Sequence, residues 1–410
     1  MGHHQDSRDS IIPLIDRLNK YPIGLPDSDT LQRILAILFS ADEAFVASRF
    51  PLQEASIREL ARATGWEEGR LEPILEVMAE KGLIMDLSYN GTQYYLLMPG
   101  LIGFFEFTFM KRRQDLPVEE LAQLMHEYLF EDPDNSMGRE MFGSATQLTR
   151  ALTYEDHIPV ESVVTTWESA REIVKTAGYG AIGLCYCRHK KEHLGGRCAK
   201  KAPTEEICIS LGTAARFMVR RGFAEERSVV ELLAVLDRAR SLNLTHITDN
   251  IRHKPSFICN CCSCCCELLG GVMKGFPDGV AKAPFVLQID EESCLGCGLC
   301  WENCNVAAIE PVVANGEKIA RVGEQKCLGC GACISACPTG SLSLSPVERP
   351  LPPDRKRDLF TRILKEKKRF SPYVVETVKT AILRKIRPGS IGSGEKSRDG
   401  KIEQRQENSR

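Results

Sequence analysis

Eight cysteines in two matching loops constrain this chain more than any other feature. The segments CLGCGLCWENC at 294–304 and CLGCGACISAC at 327–337 share the spacing Cys-x2-Cys-x2-Cys-x3-Cys. Flanking apolar residues repeat as well, since Ile289 in front of the first loop corresponds to Val322 in front of the second. Two complete copies of this spacing indicate a duplicated unit whose thiolates bind metal.

This duplicated unit resembles the bacterial two-cluster ferredoxin over about residues 285–346. Three thiolates on a tight loop reach three irons of one cubane, and four glycines let the backbone wrap close to it: Gly296, Gly298, Gly329 and Gly331. The resemblance implies crossed ligation, in which the fourth cysteine of each loop binds the other cluster. One [4Fe–4S] cluster is then expected on Cys294, Cys297, Cys300 and Cys337, and a second on Cys327, Cys330, Cys333 and Cys304. Zinc is the alternative, but its ribbons use two separated Cys-x2-Cys pairs.

The two loops differ after their last cysteine. Cys337 is followed by Pro338, as in that family, whereas Cys304 is followed by Asn305. Asparagine has the backbone N–H that proline lacks, and a donor near a cluster sulfur tends to raise the reduction potential. We expect this difference to affect the potential of the cluster and not its presence.

Ten further cysteines lie upstream in two groups, and none of the 18 cysteines occurs before residue 185 or after 337. The first residues, MGHHQDSRDS, carry no apolar leader, so this clustering favours metal or redox chemistry over disulfides. All ten are candidate metal ligands: Cys185, Cys187, Cys198, Cys208, Cys259, Cys261, Cys262, Cys264, Cys265 and Cys266.

The grouping of these ten ligands stays open. The four cysteines at 185–208 are expected to close one site, with a [4Fe–4S] cluster, structural zinc and unligated redox thiols as the alternatives, and the nearby basic run RHKK offsets thiolate charge. The six in ICNCCSCCC cannot all face one cubane, because neighbours in a strand point to opposite faces. We therefore expect a cluster there that shares ligands with the first group, with vicinal disulfides or a second metal as alternatives.

Residues 158–285 also resemble a group of prokaryotic 4Fe–4S dicluster-domain proteins. The matching pieces are CYCR, the helix that opens with Ser228-x-x-Glu231, LTHITDN and ICNCCSCCC. The resemblance implies further iron–sulfur clusters and names no substrate.

The N-terminal part predicts a winged helix. Residues 29–82 show three helical patterns, and LIMDLSYNGTQYYLLM predicts a hairpin with a turn at Asn90-Gly91. The order resembles small transcriptional regulators, whose third helix would read a DNA groove. Residues 67–81 carry five glutamates against Arg70 and Lys81, so we expect DNA binding to be unfavourable and protein docking to be the better interpretation.

The C-terminal tail is basic. Residues 347–410 contain 18 Lys and Arg against 9 Asp and Glu, and two segments have amphipathic helical spacing. We expect disorder from Pro388 onward. The basic helices are predicted either to dock an acidic partner or a membrane surface, or to fold back on the acidic body.

Together these patterns predict an α+β multidomain protein. The expected domains are a winged-helix-like region at 1–110, a helical cysteine-containing region at 111–284, a two-[4Fe–4S] ferredoxin-like domain at 285–346 and a basic helical tail at 347–410. The predicted function is single-electron transfer between redox partner proteins. An iron–sulfur redox-sensing regulator and an iron–sulfur reductase of a small substrate are the alternatives. No apolar run approaches the roughly 20 residues of a membrane span, so we expect a cytoplasmic protein.

Overall fold

The computed structural model describes residues 3–132, 134, 136–159, 165–314 and 316–386. The segment from Pro388 that the sequence predicts to be disordered lies outside the described residues.

Residues 3–97 form five helices and a small antiparallel sheet. The helices are α1 (His3–Leu18), α2 (Asp29–Leu38), α3 (Ala41–Ser48), α4 (Ile57–Thr64) and α5 (Glu68–Lys81). The strands are β1 (Ala55–Ser56), β2 (Ile84–Tyr89) and β3 (Thr92–Leu97), in the order β1-β3-β2. The three predicted helices correspond to α2, α4 and α5, and the predicted hairpin is β2–β3.

Local capping explains where several of these helices begin and end. Ser28, Ser40 and Ser56 each accept a hydrogen bond from a backbone N–H in the first turn of α2, α3 and α4. Helices α4 and α5 end at Gly65 and Gly82, which take the left-handed conformation that glycine tolerates.

A sharply kinked segment follows the hairpin. Residues Gly100–Phe104 precede α6 (Phe105–Phe109), α7 (Val118–Phe130) and α8 (Ser136–Phe142). Within the kink Ile102 has φ +50°, a strained conformation for a β-branched residue. Both carboxylate oxygens of Glu106 accept backbone N–H bonds from this turn, at 2.9 Å from Ile102 and 2.7 Å from Gly103.

The next part of the chain is a mixed layer of helices on a sheet. The strands are β4 (Thr149–Ala151), β5 (Gly180–Gly183), β6 (Cys208–Leu211), β7 (Ala224–Glu226), β8 (Thr245–Asp249) and β9 (Phe257–Cys261). All neighbours are antiparallel, in the order β4-β8-β9-β6-β5-β7. The helices are α9 (Ala170–Thr176), α10 (Tyr186–His193), α11 (Gly212–Arg220), α12 (Val229–Ser241) and α13 (Glu267–Met273).

This sheet corrects the prediction that residues 111–284 are helical. Its strands are only three to five residues long, and every residue of β6 and β8 is buried. A strand buried on both faces shows no alternation of apolar and polar residues, so its sequence lacks the period that would indicate a strand.

The segment with the two cysteine loops forms two small sheets. Strand β10 (Phe285–Ile289) pairs with β13 (Leu342–Pro346), and β11 (Ile309–Ala314) pairs with β12 (Glu317–Val322), with α14 (Leu299–Asn303) in the first loop. The segment packs on the β4 side of the large sheet. There the Tyr154 N–H donates to the Cys330 carbonyl at 3.0 Å, and Thr153 Oγ1 donates to the Gly329 carbonyl at 2.8 Å.

The described part of the tail folds back on the body. It contains α15 (Lys356–Glu366) and α16 (Phe370–Ile386). Leu359 and Ile363 are buried in the same apolar core as α1–α5, a core that also includes Phe217 and Phe223 from the α11 region. The fold-back alternative therefore describes α15, whereas docking of the tail to a partner or membrane surface stays a prediction. None of the described helices is both long and apolar enough to cross a membrane.

Candidate metal centres

The two ferredoxin-like loops depend on glycine. Gly296, Gly298, Gly329 and Gly331 all have positive φ, between 59° and 94°. A Cβ added at Gly296 would lie 1.8 Å from the Lys318 carbonyl oxygen, and one at Gly329 would lie 2.2 Å from that of Phe285. These loops therefore need glycine both for their backbone conformation and for their close approach to neighbouring strands.

Cys304 lies beside the second loop. Together with Cys327, Cys330 and Cys333 it lines one small cavity. Burial raises the pKa of Cys330 to about 11 and also raises the pKa of Cys304, so these thiols stay protonated at neutral pH without a bound cation. Burial therefore disfavours free thiolates here, and a bound metal ion would supply the positive charge that stabilises them.

The side chain of Asn305 positions the first loop, and the expected effect of this residue on the reduction potential stays a prediction. Its amide donates to the Asn243 carbonyl at 2.8 Å and to Thr245 Oγ1 at 3.0 Å. The Cys304 sulfur accepts a backbone N–H bond from Ala308 at 3.2 Å. Asn305 thus anchors the first loop to the chain segment that enters β8.

Four of the upstream cysteines form a compact group, which we call the four-thiol centre: Cys198, Cys262, Cys264 and Cys265. Their sulfur atoms all lie within 4.8 Å of one another. The distance from Cys264 is 3.4 Å to Cys262, 3.7 Å to Cys265 and 3.8 Å to Cys198. Zinc–thiolate bonds of about 2.3 Å give tetrahedral edges of about 3.8 Å, so the spacing fits one tetrahedral ion.

The other six upstream cysteines form a closed ring, which we call the six-thiol centre. Each thiol is within hydrogen-bonding reach of two others, in the cyclic order Cys185, Cys187, Cys266, Cys261, Cys259 and Cys208. Neighbouring thiols hold the pKa of Cys259 down to about 6, whereas burial and the adjacent thiols raise that of Cys187.

The expectation that the four cysteines at 185–208 close one site is wrong, because Cys198 does not join Cys185, Cys187 and Cys208. The run 259–266 is divided between the two centres, and in each centre it meets cysteines of the 185–208 group, which agrees with the expected sharing of ligands. The reason is local geometry. Cys259 and Cys261 are two residues apart in β9, so their side chains lie on the same face of the strand, and the turn after Cys261 places Cys262, Cys264 and Cys265 away from that face.

Arg188 lies between the two upstream centres. Its side chain is only 2% exposed, and its guanidinium donates to Cys185 Sγ at 3.3 Å and to Cys262 Sγ at 3.4 Å. Its Nε is buried with no hydrogen-bond partner among the described residues. Burial by itself would lower the pKa of Arg188, but the Cys185 and Cys262 thiols raise it above its usual value.

Lys200 lies between the four-thiol centre and the ferredoxin-like loops. Its Nζ donates to the carbonyls of Asn243 and Asn303 and to Asn303 Oδ1, each at 3.3 Å. Burial lowers the pKa of Lys200, and the thiols of both Cys262 and Cys304 oppose that shift. In the basic run RHKK, Arg188 contacts thiols, whereas Lys190 forms a buried ion pair with Glu267.

The geometry therefore defines a class: a protein with a duplicated cysteine-loop unit joined to two upstream thiol centres. Residues 287–344 match the family model of the 4Fe-4S dicluster domain. The prediction of an iron–sulfur, ferredoxin-like domain is thus confirmed. No curated protein sequence matches the chain.

The roles of Arg188 and Lys200 were not predicted individually, although the CYCR motif already placed an arginine next to two ligands.

Proposed function

We propose that this chain is an electron-transfer protein that passes single electrons between redox partners through several thiolate-bound centres. The observation that carries the proposal is their contiguity. Lys200, two residues after Cys198 of the four-thiol centre, donates to the carbonyl of Asn303, the residue before Cys304, and Arg188 donates to both Cys262 and Cys185. Iron–sulfur clusters perform the electron chemistry, and the protein contributes their spacing and their electrostatic environment.

Two [4Fe–4S] clusters occupy the ferredoxin-like domain in this proposal. The first uses Cys294, Cys297, Cys300 and Cys337, and the second uses Cys327, Cys330, Cys333 and Cys304. The cysteine spacing, the family match and the cavity shared by the second set support this assignment.

The two upstream centres differ in the number of metal ions that each one binds. The four-thiol centre binds one tetrahedral ion, because its sulfur atoms are as close as the edges of a single MS4 tetrahedron. The six-thiol centre binds a polynuclear metal–sulfur group, because six thiolates exceed the four that one tetrahedral ion or one cubane takes.

Metal analysis of the anaerobically purified full chain tests these assignments. The ferredoxin-like domain alone accounts for roughly eight irons, and we expect more metal than that. Replacing Cys264 and Cys265 by serine should remove about one metal ion and no sulfide, as for a tetrahedral site. Loss of about four irons with their sulfides would instead show a cubane there.

Electron transfer itself is tested by an EPR-monitored redox titration of the same protein. We expect one-electron signals from the reduced clusters and a second set of signals that the cysteine replacements at the upstream centres remove. A protein whose iron shows no reducible signal would contradict the proposed function.

A redox-sensing regulator is the second candidate, because residues 29–97 have the element order and the β1-β3-β2 sheet of a winged helix. We propose that this module serves packing rather than DNA recognition. Glu76 of α5 pairs with Arg221 at 3.0 Å, and the other glutamates of this helix would repel phosphate. Binding of the full chain to duplex DNA, measured at physiological salt, should be weak and independent of sequence; tight, sequence-specific binding would favour the regulator.

A further inference from the structure

A crevice of about 710 Å³ lies at the β4 edge of the large sheet, between the end of α8, the segment 275–284 and the beginning of the tail. It is open to solvent, because several of the residues that line it are exposed: Gly143, Ala145, Gly275, Asp278 and Leu351. The described residues around it include no cysteine, so its space does not belong to a thiol centre or to the ferredoxin-like loops. Small-molecule sites commonly have volumes of about 300–1,000 Å³.

Three arginines from separate parts of the chain line this crevice. They are Arg150 on β4, Arg349 in the segment before α15, and Arg362 on α15. None of the three forms an ion pair with a described residue. The Nε of Arg349 is buried without a hydrogen-bond partner among the described residues, and so is the hydroxyl of Ser144 in the same crevice. Buried donors of this kind call for a partner, and the crevice offers room for one.

Arg150 is the most buried of the three arginines. It is 4% exposed, and its Nη2 donates to the carbonyls of Trp167 at 2.5 Å and Ile251 at 3.2 Å. Its Nε is buried without a partner among the described residues. Burial lowers the pKa of Arg150 to about 10, and the nearby carboxylates of Glu168 and Asp249 offset this shift only in part. A buried charge without a paired counter-charge is costly, so a bound anion would stabilise this arginine.

The other charged side chains of the crevice already have partners. Lys282 pairs with Asp278 at 2.7 Å. The Glu168 carboxylate accepts from the N–H of Thr165 at 2.9 Å and from its hydroxyl at 2.6 Å. The capacity to bind an anion therefore belongs to the three arginines.

The crevice also has an apolar part. Phe142 and Phe276 both line it, and the centroids of their rings are 5.4 Å apart. The half-buried indole of Trp167 and the exposed side chain of Leu351 line it as well. A ligand that fills this space therefore needs an organic part in addition to an anionic group.

We propose that the crevice binds a phosphate ester, with its phosphate group on the three arginines and its organic part against the rings of Phe142, Phe276 and Trp167. A phosphate monoester carries a charge of about −1.5 to −2 and three strong acceptor oxygens, so it can accept from three guanidinium groups at once. A carboxylate has one charge and two oxygens and would leave one arginine without a partner. Inorganic phosphate would leave the apolar part of the crevice empty. This site is independent of the proposed electron transfer.

Calorimetric titration of the full chain tests the class of ligand. The probes are phenyl phosphate, inorganic phosphate and phenol, each in chloride buffer of constant ionic strength. Phenyl phosphate should bind at one site per chain and more tightly than inorganic phosphate, and phenol should give no saturable heat, because it lacks the anionic group. Absence of phenyl phosphate binding would overturn the proposal. Equal dissociation constants for phenyl phosphate and inorganic phosphate would overturn the assignment of an ester.

Arginine replacements test the location of the site. Arg349→Gln and Arg362→Gln each remove one charged donor, and each should raise the dissociation constant of phenyl phosphate about tenfold or more. Arg357→Gln is the matched control: it removes the same charge from helix α15, at an exposed position that does not line the crevice. The control should bind like the parent. An equal loss in Arg357→Gln and Arg362→Gln would assign binding to general surface charge and overturn the site.

A crystal of the parent chain soaked with phenyl phosphate gives a result that does not depend on the folding of a variant. The phosphate group should lie within hydrogen-bond distance of Arg150, Arg349 and Arg362, with the phenyl ring in the apolar part of the crevice. A phosphate group bound elsewhere on the protein would overturn the proposal.

Discussion

Single residues set the electrostatics of the upstream centres, and Arg188 is the clearest case. Its buried guanidinium contacts a sulfur of each centre, so one positive charge serves two groups of thiolates. Arginine suits this position because its planar fork presents several donors at fixed angles, whereas lysine is a point charge. The conservative change to lysine therefore retains the charge and loses one of the two contacts.

Replacing Arg188 by glutamine should make the upstream centres harder to reduce. Loss of a hydrogen bond from a charged group costs about 1.5–3 kcal/mol, which corresponds to a decrease of roughly 60–130 mV for a one-electron couple. Arg188→Lys should give a smaller decrease. An EPR-monitored redox titration measures both, and potentials equal to those of the parent would show that Arg188 acts only through packing.

The glycines of the cysteine loops support a second prediction. Gly329→Ala should prevent formation of the second cluster, because the new Cβ would meet the Phe285 carbonyl at 2.2 Å. Gly340→Ala is the matched control: its φ of 70° is similar, but no atom lies within 4 Å of the added Cβ. The control should lose only the stability that alanine loses in the left-handed conformation, about 1–2 kcal/mol. Iron analysis and thermal unfolding distinguish the two, and equal iron contents would contradict the prediction.

At the level of elements, a buried charge network attaches the hairpin β2–β3 and helix α5 to helix α11. Asp86 on β2 is 3% exposed and accepts hydrogen bonds from both Arg220 and Arg221. Arg221 also pairs with Glu76 on α5. Burial tends to raise the pKa of Asp86, but the hydrogen bonds from Arg221 and Arg220 outweigh it and lower the pKa. Glu76, one of the glutamates of α5, therefore has a partner within this chain.

Asp86→Ala should destabilise the protein by about 1.5–3 kcal/mol, because Arg220 and Arg221 lose their charged hydrogen bonds to a buried carboxylate and Arg221 keeps only its pair with Glu76. The matched control is Glu225→Ala. Glu225 is 76% exposed and pairs with Arg227, so its loss should cost at most about 1 kcal/mol. Denaturant unfolding of both variants checks the difference, and similar midpoints would show that the network contributes little.

At the scale of the whole molecule, the tail is attached to α8 through Glu140. This carboxylate is 11% exposed and accepts from Lys367 at 2.9 Å and from Arg369 at 2.6 Å. Burial raises the pKa of Glu140, but its bonds to Arg369 and Lys367 lower it below the usual 4.5. A carboxyl group with a lowered pKa adds stability above its unfolded pKa, and that stability is lost as pH falls through the folded pKa.

Glu140→Gln should therefore lower the free energy of unfolding at pH 7, by about 1.5–3 kcal/mol for the lost charged hydrogen bonds. The difference between variant and parent should stay constant above the unfolded pKa of 4.5 and vanish as pH falls below the folded one. Unfolding measured for both proteins across this range checks the prediction. A difference that persists in acid would assign the effect to packing and not to charge.

The sequence by itself determined the parts whose geometry is local. Each cysteine loop places three ligands within seven residues, with glycines where the backbone must turn, so spacing alone indicated the ferredoxin-like domain. Helical spacing and the Asn90-Gly91 turn likewise predicted three helices and the hairpin of the N-terminal part.

Only the tertiary structure decided how the ten upstream cysteines divide. Strands β6 and β9 pair with Ile209 opposite Ile258, which brings Cys208 beside Cys259 across 51 residues of sequence. Arg188 reaches Cys262 in the same way, because α10 packs near the turn that follows β9. Such pairings depend on short strands such as β6, which is buried on both faces and carries no periodic signal. A sequence therefore shows how many thiols are present but not which of them share a centre.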